Sequence, residues 1–483
     1  MAVAARTCAL SGVVAAGHPL SAEAGAQALR EGGNAVDAAV CAVLASFAVE
    51  SPLTGFGAGG FMMVHDGGET TLLDFFVAAP GRGGVERGAE LVPVQVHFDV
   101  ETVQTFYVGP VSCGVPGTAA GLEQALQRFG TMPLGELVKP GVRLAREGAL
   151  INHEQAYILD ILEPIHARLP GTRELYAPEG RTLREGDLFC FAELAEALER
   201  FGAEGAEPFC RGEVAEALSA YVLERGGTLG PADFGGYEVI EREPIRAGFR
   251  GTEVLTNPPP SSGGTLIAYC LGLLEQAGES SGPEQLVAAM AAANDARGDL
   301  LGSTTHISVL DRDGICANVT CSNGSGSGVL VPGTGVILNN MLGEEDLNPL
   351  GFHSIAPGRR VTSMMAPTVV LRDGEIELGL GSAGSNRIRS AILQTIVRAV
   401  EQGMGADEAV RAPRLHFEDG VVQAEPGIDE EALARIEARG TPVLRRPEIN
   451  LFFGGTQAVA RERESGRLSG GGDPRRGGAV AIA

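Results

Sequence analysis

The sequence predicts an α+β fold in which stacked sheets are covered by layers of helix, and three observations carry that prediction. At 483 residues the chain exceeds the length at which a single hydrophobic core usually stops growing, so two domains or one large layered domain is expected. Strands and helices come in blocks, without the regular βαβ alternation of a parallel sheet. The composition shifts at about residue 300, beyond which strands dominate.

In chain order, VVAA (13–16) reads as the first strand. SAEAGAQALR (21–30) begins on a good N-cap serine and stops at Gly32-Gly33, and Asn34 with Asp37 resembles a capping pair for a second, largely apolar helix over AVDAAVCAVLASFAV. GFGAGGFMMVHDGGETTLLDFF follows as a tight loop and then a hairpin turning at Asp66-Gly67-Gly68. From about 117 to 230 the pattern is helical: TAAGLEQALQRFG, PLGELVKPGVRLAREG, FAELAEALERFG and GEVAEALSAYVLERGG each end at a glycine stop. Short strands are expected around NPPPSSGGTLI (257–267), then a helix over PEQLVAAMAAANDARGDLL. THISVLD, a DRDG turn, ICANVTC, GVLV, GVILNN, PTVVLRDG and EIELGLGS read as strands. A helix over SAILQTIVRAVEQG and strands TQAVARE and GAVAIA complete the chain. No internal repeat or low-complexity segment stands out.

Composition excludes several classes. A formal charge of −24 argues against a nucleic-acid partner, because phosphate backbones are bound by Lys and Arg that displace counterions. Six Tyr, eighteen Phe and no Trp leave few stacking platforms for bases. No apolar run reaches the roughly 18 residues of a membrane span. The N-terminal stretch makes a poor secretory signal, so a cytoplasmic location is expected. Cys8, Cys41, Cys113, Cys190, Cys210, Cys270, Cys316 and Cys321 form no CxxC pair and read as free thiols in a reducing compartment.

Candidate motifs divide unevenly. Gly55, Gly57 and Gly60 in GFGAGG satisfy the letter of G-x-G-x-x-G, but a dinucleotide site needs strand, loop, helix, and the order here is helix, loop, strand. The glycines read as a close-packing turn. Eight scattered histidines without H-E-x-x-H give no metal site, and no cofactor is indicated. No G-x-S-x-G elbow is present. Glu344, Glu345 and Asp346 are either a cation-binding group or, more simply, a solvated loop.

The stretch LGSTTHISVLDRDG (301–314) carries a different possibility. A threonine hydroxyl is a weak nucleophile, and cleavage of the chain before it supplies an α-amine, with a pKa near 8, as general base. Small residues before it, Gly302 and Ser303, suit self-cleavage. A Thr304-Thr305 pair is also an ordinary strand start, and on these residues alone that is the favoured reading.

The surrounding motifs bear on that choice. TTHISVLDRDG, PGTGVILNN, SMMAPT and GSAGSNRI, in this order, resemble the small-subunit core of the gamma-glutamyltranspeptidase family. GGNAVDAAV, GAGGFMMV, GVPGTAAG, GTMPLGELVKP and NPPPSSGG resemble its large-subunit motifs, so the resemblance covers nearly the whole chain. It implies an N-terminal nucleophile (Ntn) hydrolase: a four-layer αββα sandwich made as a self-cleaving proenzyme. The scissile bond would be Ser303-Thr304, with residues 1–303 as large subunit and 304–483 as small. Thr304 would be nucleophile, the backbone N–H groups of Gly384 and Ser385 the oxyanion donors, Ser322 the hydroxyl beside the nucleophile and Asn323 a substrate-binding amide. The family has glycine where Ser385 stands, and CSNGSGSG is two residues short, which bears on Ser322 and Asn323.

Substrate recognition departs most. The family's D-F-R arginine, which holds a glutamyl carboxylate, corresponds to Phe76 in Asp74-Phe75-Phe76, and a phenyl ring cannot replace a guanidinium fork. Glu344 stands near the family's aspartate for the α-amine, and Thr362-Ser363 replaces its serine pair. The loop from 344 to 360 is too short for the lid of some members, and the segment between Pro260 and Thr304 is much shorter than usual. Arg359 or Arg360 is the candidate for a carboxylate contact from another direction. The expectation is therefore a self-processing amidohydrolase or acyltransferase acting on a small amide, with water or an amine as acceptor and an acyl group that need not be glutamyl. The alternatives are a γ-glutamyl hydrolase or transpeptidase acting on glutathione-like compounds, and a non-catalytic scaffold that does not process itself. Two subunits from one chain are the expected assembly, with a homodimer of that heterodimer as one option the sequence leaves open, and with no nucleic acid or membrane partner.

Overall fold

A computed structural model describes residues 10–98, 103–278, 280–295 and 304–483. Cys8, Gly302, Ser303 and the tail of the helical run beyond Asp295 lie outside them.

Two antiparallel sheets form the centre. The first has seven strands, in the order Ala479–Ile482, Gly12–Ala16, Thr305–Asp311, Cys316–Ser322, Gly59–His65, Thr70–Phe75 and Ile240–Arg242. The second has six: Leu468–Gly472, Gly455–Arg461, Glu375–Ala383, Thr368–Arg372, Thr252–Thr256 and Ile245–Phe249. Helices Pro19–Arg30 and Ala35–Val49 cover the outer face of the first sheet, and Ser262–Ala277 and Arg387–Ile396 that of the second. This is the expected α+β sandwich of four layers, αββα.

Strand alternation shows why the layers stack. Val14 and Ala16 join the core under the first helices, while Val13 and Ala15, one residue out of phase, join the core between the sheets. A strand buried on both faces has no polar side to alternate with, which is why these segments read as nearly continuous apolar runs. Ala35–Val49 is buried all round, as a helix enclosed by a sheet on one side and helices on the other must be. Its start is the expected capping box: Asn34 accepts from Val36 and Asp37 N–H, and Asp37 accepts from Asn34 N–H and from Thr131 and Met132.

Two local readings are corrected. The first helix begins at Pro19 with His18 as N-cap, its Nδ1 accepting from Leu20 N–H; Ser21 lies inside it. The glycine-rich NPPPSSGG leads into a 16-residue helix, Ser262–Ala277, rather than strands. Its glycines serve contact, since a Cβ on Gly263 would lie 2.0 Å from the Met364 carbonyl oxygen and one on Gly264 2.1 Å from that of Asn257. GVLV and GVILNN form their own small sheet, Leu330–Val331 with Val336–Ile337. A hairpin of Val92–His97 with Val103–Val108 adds an unanticipated satellite core around Val96 and Phe106.

Between the sheets the imidazole of His306 is fully enclosed, bonded to Thr320 Oγ1 at 2.7 Å and Ser308 Oγ at 2.9 Å. A Cβ on Gly381 of the facing strand would sit 2.2 Å from that ring. Gly381→Ala should therefore lower stability by about 1–3 kcal/mol, the usual result of overpacking a dense core, read as a lower urea midpoint at unchanged m-value.

Candidate active site

The site lies where central strands of both sheets end. Thr305 pairs with Cys321 in the antiparallel ladder, so the register carried on by one residue sets Ser322 opposite Thr304. Period-two alternation sends Thr304 and Thr305 to opposite faces. Thr305 meets the helix layer, where its hydroxyl donates to Glu50 Oε1 at 2.9 Å. Thr304 borders a small cavity together with Phe76, Ser322, Glu344, Ser363 and Ser385.

That cavity measures ≈ 20 Å³, room for about one water molecule. Its remaining wall is Met341, Asp346, Leu347, Met364, Met365 and Ile388. An acyl chain enters only if side chains yield, and unbranched methionines are the ones that do so at low cost. Among the described residues lining it, Glu344 and Asp346 are the charged ones, and both are acids.

Each wall residue is held from outside. Ser322 Oγ accepts from Gly324 N–H at 2.8 Å, and Ser363 Oγ from Met365 N–H at 3.0 Å. Glu344 accepts from Ser325 N–H at 2.8 Å. Burial pushes its carboxyl above the ordinary carboxylate range, against these bonds and that with Asp346. Phe76 is fully buried, stacked on Phe61 at 5.3 Å, with Tyr237 donating to its carbonyl at 2.8 Å. Two sequence candidates stand elsewhere. Thr362 donates to the Leu347 carbonyl at 2.9 Å, away from the cavity wall. Asn323 is buried beside Ser322 but does not line the cavity, and its amide has no hydrogen-bond partner among the described residues.

The arginine proposed for carboxylate binding is committed elsewhere. Arg360 Nε lies 3.0 Å from Asp74 Oδ1, and Arg242 takes Oδ2 at 2.7 Å. Asp74 also accepts from Phe76 N–H at 2.9 Å. Arg359 is exposed and does not line the cavity. Asp74 thus keeps its place in the D-F motif with two guanidinium partners from outside the motif, and among the described residues that line the cavity none is a cation.

The turn after strand Glu375–Ala383 brings the last element. Gly384 has φ 112° and Ser385 φ 64°; a Cβ on Gly384 would come within 2.7 Å of Gly454 Cα, so glycine is required there. At Ser385 a side chain occupies the left-handed region at a cost of about 1–2 kcal/mol. Helix Arg387–Ile396 starts immediately afterwards, directing the positive end of its dipole toward the turn. Backbone N–H groups at such a turn can stabilise a developing oxyanion.

Glu50 was not anticipated from the sequence. It ends the Ala35–Val49 helix, almost wholly buried, with Ser21 Oγ at 3.3 Å and Thr305 Oγ1 at 2.9 Å from its carboxylate. Gly17 makes the room, since a Cβ there would fall 2.5 Å from Glu50 Oε1. The one sequence signal was an acid closing a long apolar run, AVCAVLASFAVE.

Fold and site together define an N-terminal nucleophile hydrolase, a class that works on amide bonds. Comparison narrows this: a family profile described as gamma-glutamyltranspeptidase matches residues 21–302 and 288–483. The chain belongs to the gamma-glutamyltranspeptidase family. It is 32% identical to the acylase ACY 1 proenzyme of Pseudomonas sp. (strain V22), over 93% of this chain and 89% of that one. It is 30% identical to the glutathione hydrolase proenzyme of Escherichia coli (strain K12), over 96% and 90%. In fold it matches the crystal structure of a cephalosporin acylase from Bacillus halodurans with a TM-score of 0.85 at 24% identity, covering 98% of this chain and 96% of that one.

Burial pushes the Glu50 carboxyl up to about 7 from its ordinary 4.5, against the pull of Thr305, Ser21 and Arg476. A carboxyl raised in the folded state contributes its full stability below pH 4.5 and loses it as pH rises through 7. Glu50→Gln cannot ionise, so its stability relative to wild type should climb between pH 5 and 8 by on the order of 3 kcal/mol. Urea unfolding across that range checks this; a flat difference would contradict it.

Proposed function

We propose that the chain cleaves itself between Ser303 and Thr304 and then hydrolyses, or transfers, an acyl group that carries a cationic head and no α-carboxylate. The reading is carried by one observation: the cavity beside Thr304 presents Phe76 where a carboxylate clamp would stand, and Glu344 and Asp346 as its charged wall. A carboxylate placed there would be desolvated with no partner, whereas an ammonium group would gain two.

In this mechanism Thr304 Oγ attacks the amide carbonyl while the freed α-amine takes its proton. The C–N bond breaks, the leaving amine departs with that proton, and an ester to Thr304 remains. Water, or an acceptor amine, then attacks the ester and restores the hydroxyl. Gly384 and Ser385 N–H groups meet the oxyanion of both tetrahedral intermediates, and Ser322 keeps the Thr304 hydroxyl oriented. The resemblance to acylase and glutathione hydrolase proenzymes supports an acyl-transfer chemistry common to both. Residues 1–303 and 304–483 become the two subunits.

Three anilides differing only in the head group test the substrate class. We expect kcat/KM for 4-aminobutyryl-p-nitroanilide to exceed that for γ-glutamyl-p-nitroanilide by about tenfold or more, and the glutaryl compound to be poorest; tenfold corresponds to about 1.4 kcal/mol. A preference for γ-glutamyl would refute the specificity and leave the chemistry standing.

Thr304→Ala tests the chemistry itself. The variant should run on a denaturing gel as one chain of 49.9 kDa with no turnover, while wild type yields a fragment with Thr304 as its first residue. Intact wild type after prolonged incubation would refute self-cleavage.

A further inference from the structure

A polar ladder behind the oxyanion turn plays no part in the mechanism above. On helix Arg387–Ile396 and the residue before it, Asn386, Ser390 and Gln394 recur every four positions and so share one face. Opposite them runs strand Leu415–Glu418 of a hairpin that belongs to neither main sheet. Gln394 exchanges two hydrogen bonds with the backbone of Leu415, at 2.8 and 2.9 Å. Ser390 Oγ lies 2.7 Å from His416 Nδ1, and His416 Nε2 lies 3.3 Å from Glu418 Oε2. Asn386 Nδ2 donates to Glu418 Oε1, and Arg387 stands 3.7 Å from the other oxygen.

Asn386 directly follows Ser385. The turn before it holds a glycine at φ 112° and a serine at φ 64°, and such backbone persists only where its surroundings over-determine it. Phe452 packs against Arg387, its ring centre 4.1 Å from the guanidinium carbon. Arg446 stacks on the same ring at 4.7 Å.

We propose that Glu418 is a positioning residue for the reaction: by gripping Asn386 and Arg387 it holds the Gly384–Ser385 turn with its N–H groups directed at the oxyanion. Glu418 touches no reacting atom; its action passes through Asn386. The inference rests on the role assigned to the turn above. Burial works against ionisation of Glu418, but the His416, Arg387 and Asn386 contacts hold its carboxyl well below the usual range, while burial lowers His416 to about 4. At neutral pH the pair is therefore a carboxylate accepting from a neutral imidazole, whose Nδ1 accepts from Ser390.

The test compares wild type with Glu418→Ala, Glu418→Gln and Asn386→Ala on 4-aminobutyryl- and γ-glutamyl-p-nitroanilide. Loss of a single oxyanion donor costs about 10²–10³ in kcat; disorder of the turn should cost somewhat less. Glu418→Ala and Asn386→Ala are each expected to lower kcat about 30-fold with KM within about threefold, and the double variant to fall no further, because coupled residues are not additive. Glu418→Gln keeps an acceptor for Asn386 and should recover most of kcat. Independently of activity, amide exchange in peptides spanning 382–390 should quicken about tenfold in both single variants while other protected segments stay unchanged. Unchanged kcat or unchanged exchange in Asn386→Ala, which deletes only an amide, overturns the proposal, as does additivity. Inactive wild type would refute the functional reading instead, and the exchange result still decides this one.

Discussion

The antiparallel pairing of Thr305–Asp311 with Cys316–Ser322 is the constraint on which the rest depends. It lies inside a seven-stranded sheet, flanked on both sides, so a slip of one residue would turn every side chain of a fully buried strand to the wrong layer. The register is accordingly held by two hydrophobic cores at once. One consequence is local: Thr304 and Ser322 are set opposite each other at the strand ends. Another is directional: Thr305 is committed to Glu50 and the helix layer, leaving Thr304 to the cavity.

Around this fixed point the walls are arranged by elements that share little sequence. The D-F segment brings one residue, the loop at 341–347 four, the stretch at 363–365 three and the turn at 384–385 one. Charge is distributed unequally among them. Asp74, the one acid of the D-F segment, is paired with Arg242 and Arg360, whereas Glu344 and Asp346 line the cavity. On the proposed function, a site with this asymmetry would discriminate by the cost of desolvating the wrong charge more than by shape.

Much of this was legible in the sequence because it is local. Asn34 with Asp37, the Asp66-Gly67-Gly68 turn and the alternation of THISVLD are determined by neighbours a few residues away. Motif order further pointed to Thr304, Ser322 and Ser385, which do converge. What was not legible depends on contacts across the chain. Gly263 and Gly264 look like loop residues until Met364 and Asn257 are seen pressing on them. Glu50 meets Thr305 across 255 positions, and Asn323 and Thr362, named by motif, turn out to face away from the cavity. The use of Arg360 to balance Asp74 was likewise invisible, since nothing in a linear pattern says which acid claims a guanidinium first.

The strand order of the first sheet has a consequence for the life of the molecule after cleavage. Read across, it takes Ala479–Ile482 from beyond residue 304, Gly12–Ala16 from before it, two strands from beyond, and three from before. The second sheet joins four strands from beyond residue 304 to two from before it. Cutting the chain as proposed would therefore free no piece: the two products would be interlaced in the first sheet and paired edge to edge in the second. Before the cut, folding is a unimolecular search aided by the tether; afterwards, reassembly would have to bring two partial sheets together from solution. Such a cut would act as a ratchet: the sandwich would be assembled once, as a single chain, and its persistence would then be governed by how slowly it opens rather than by how readily it could form again.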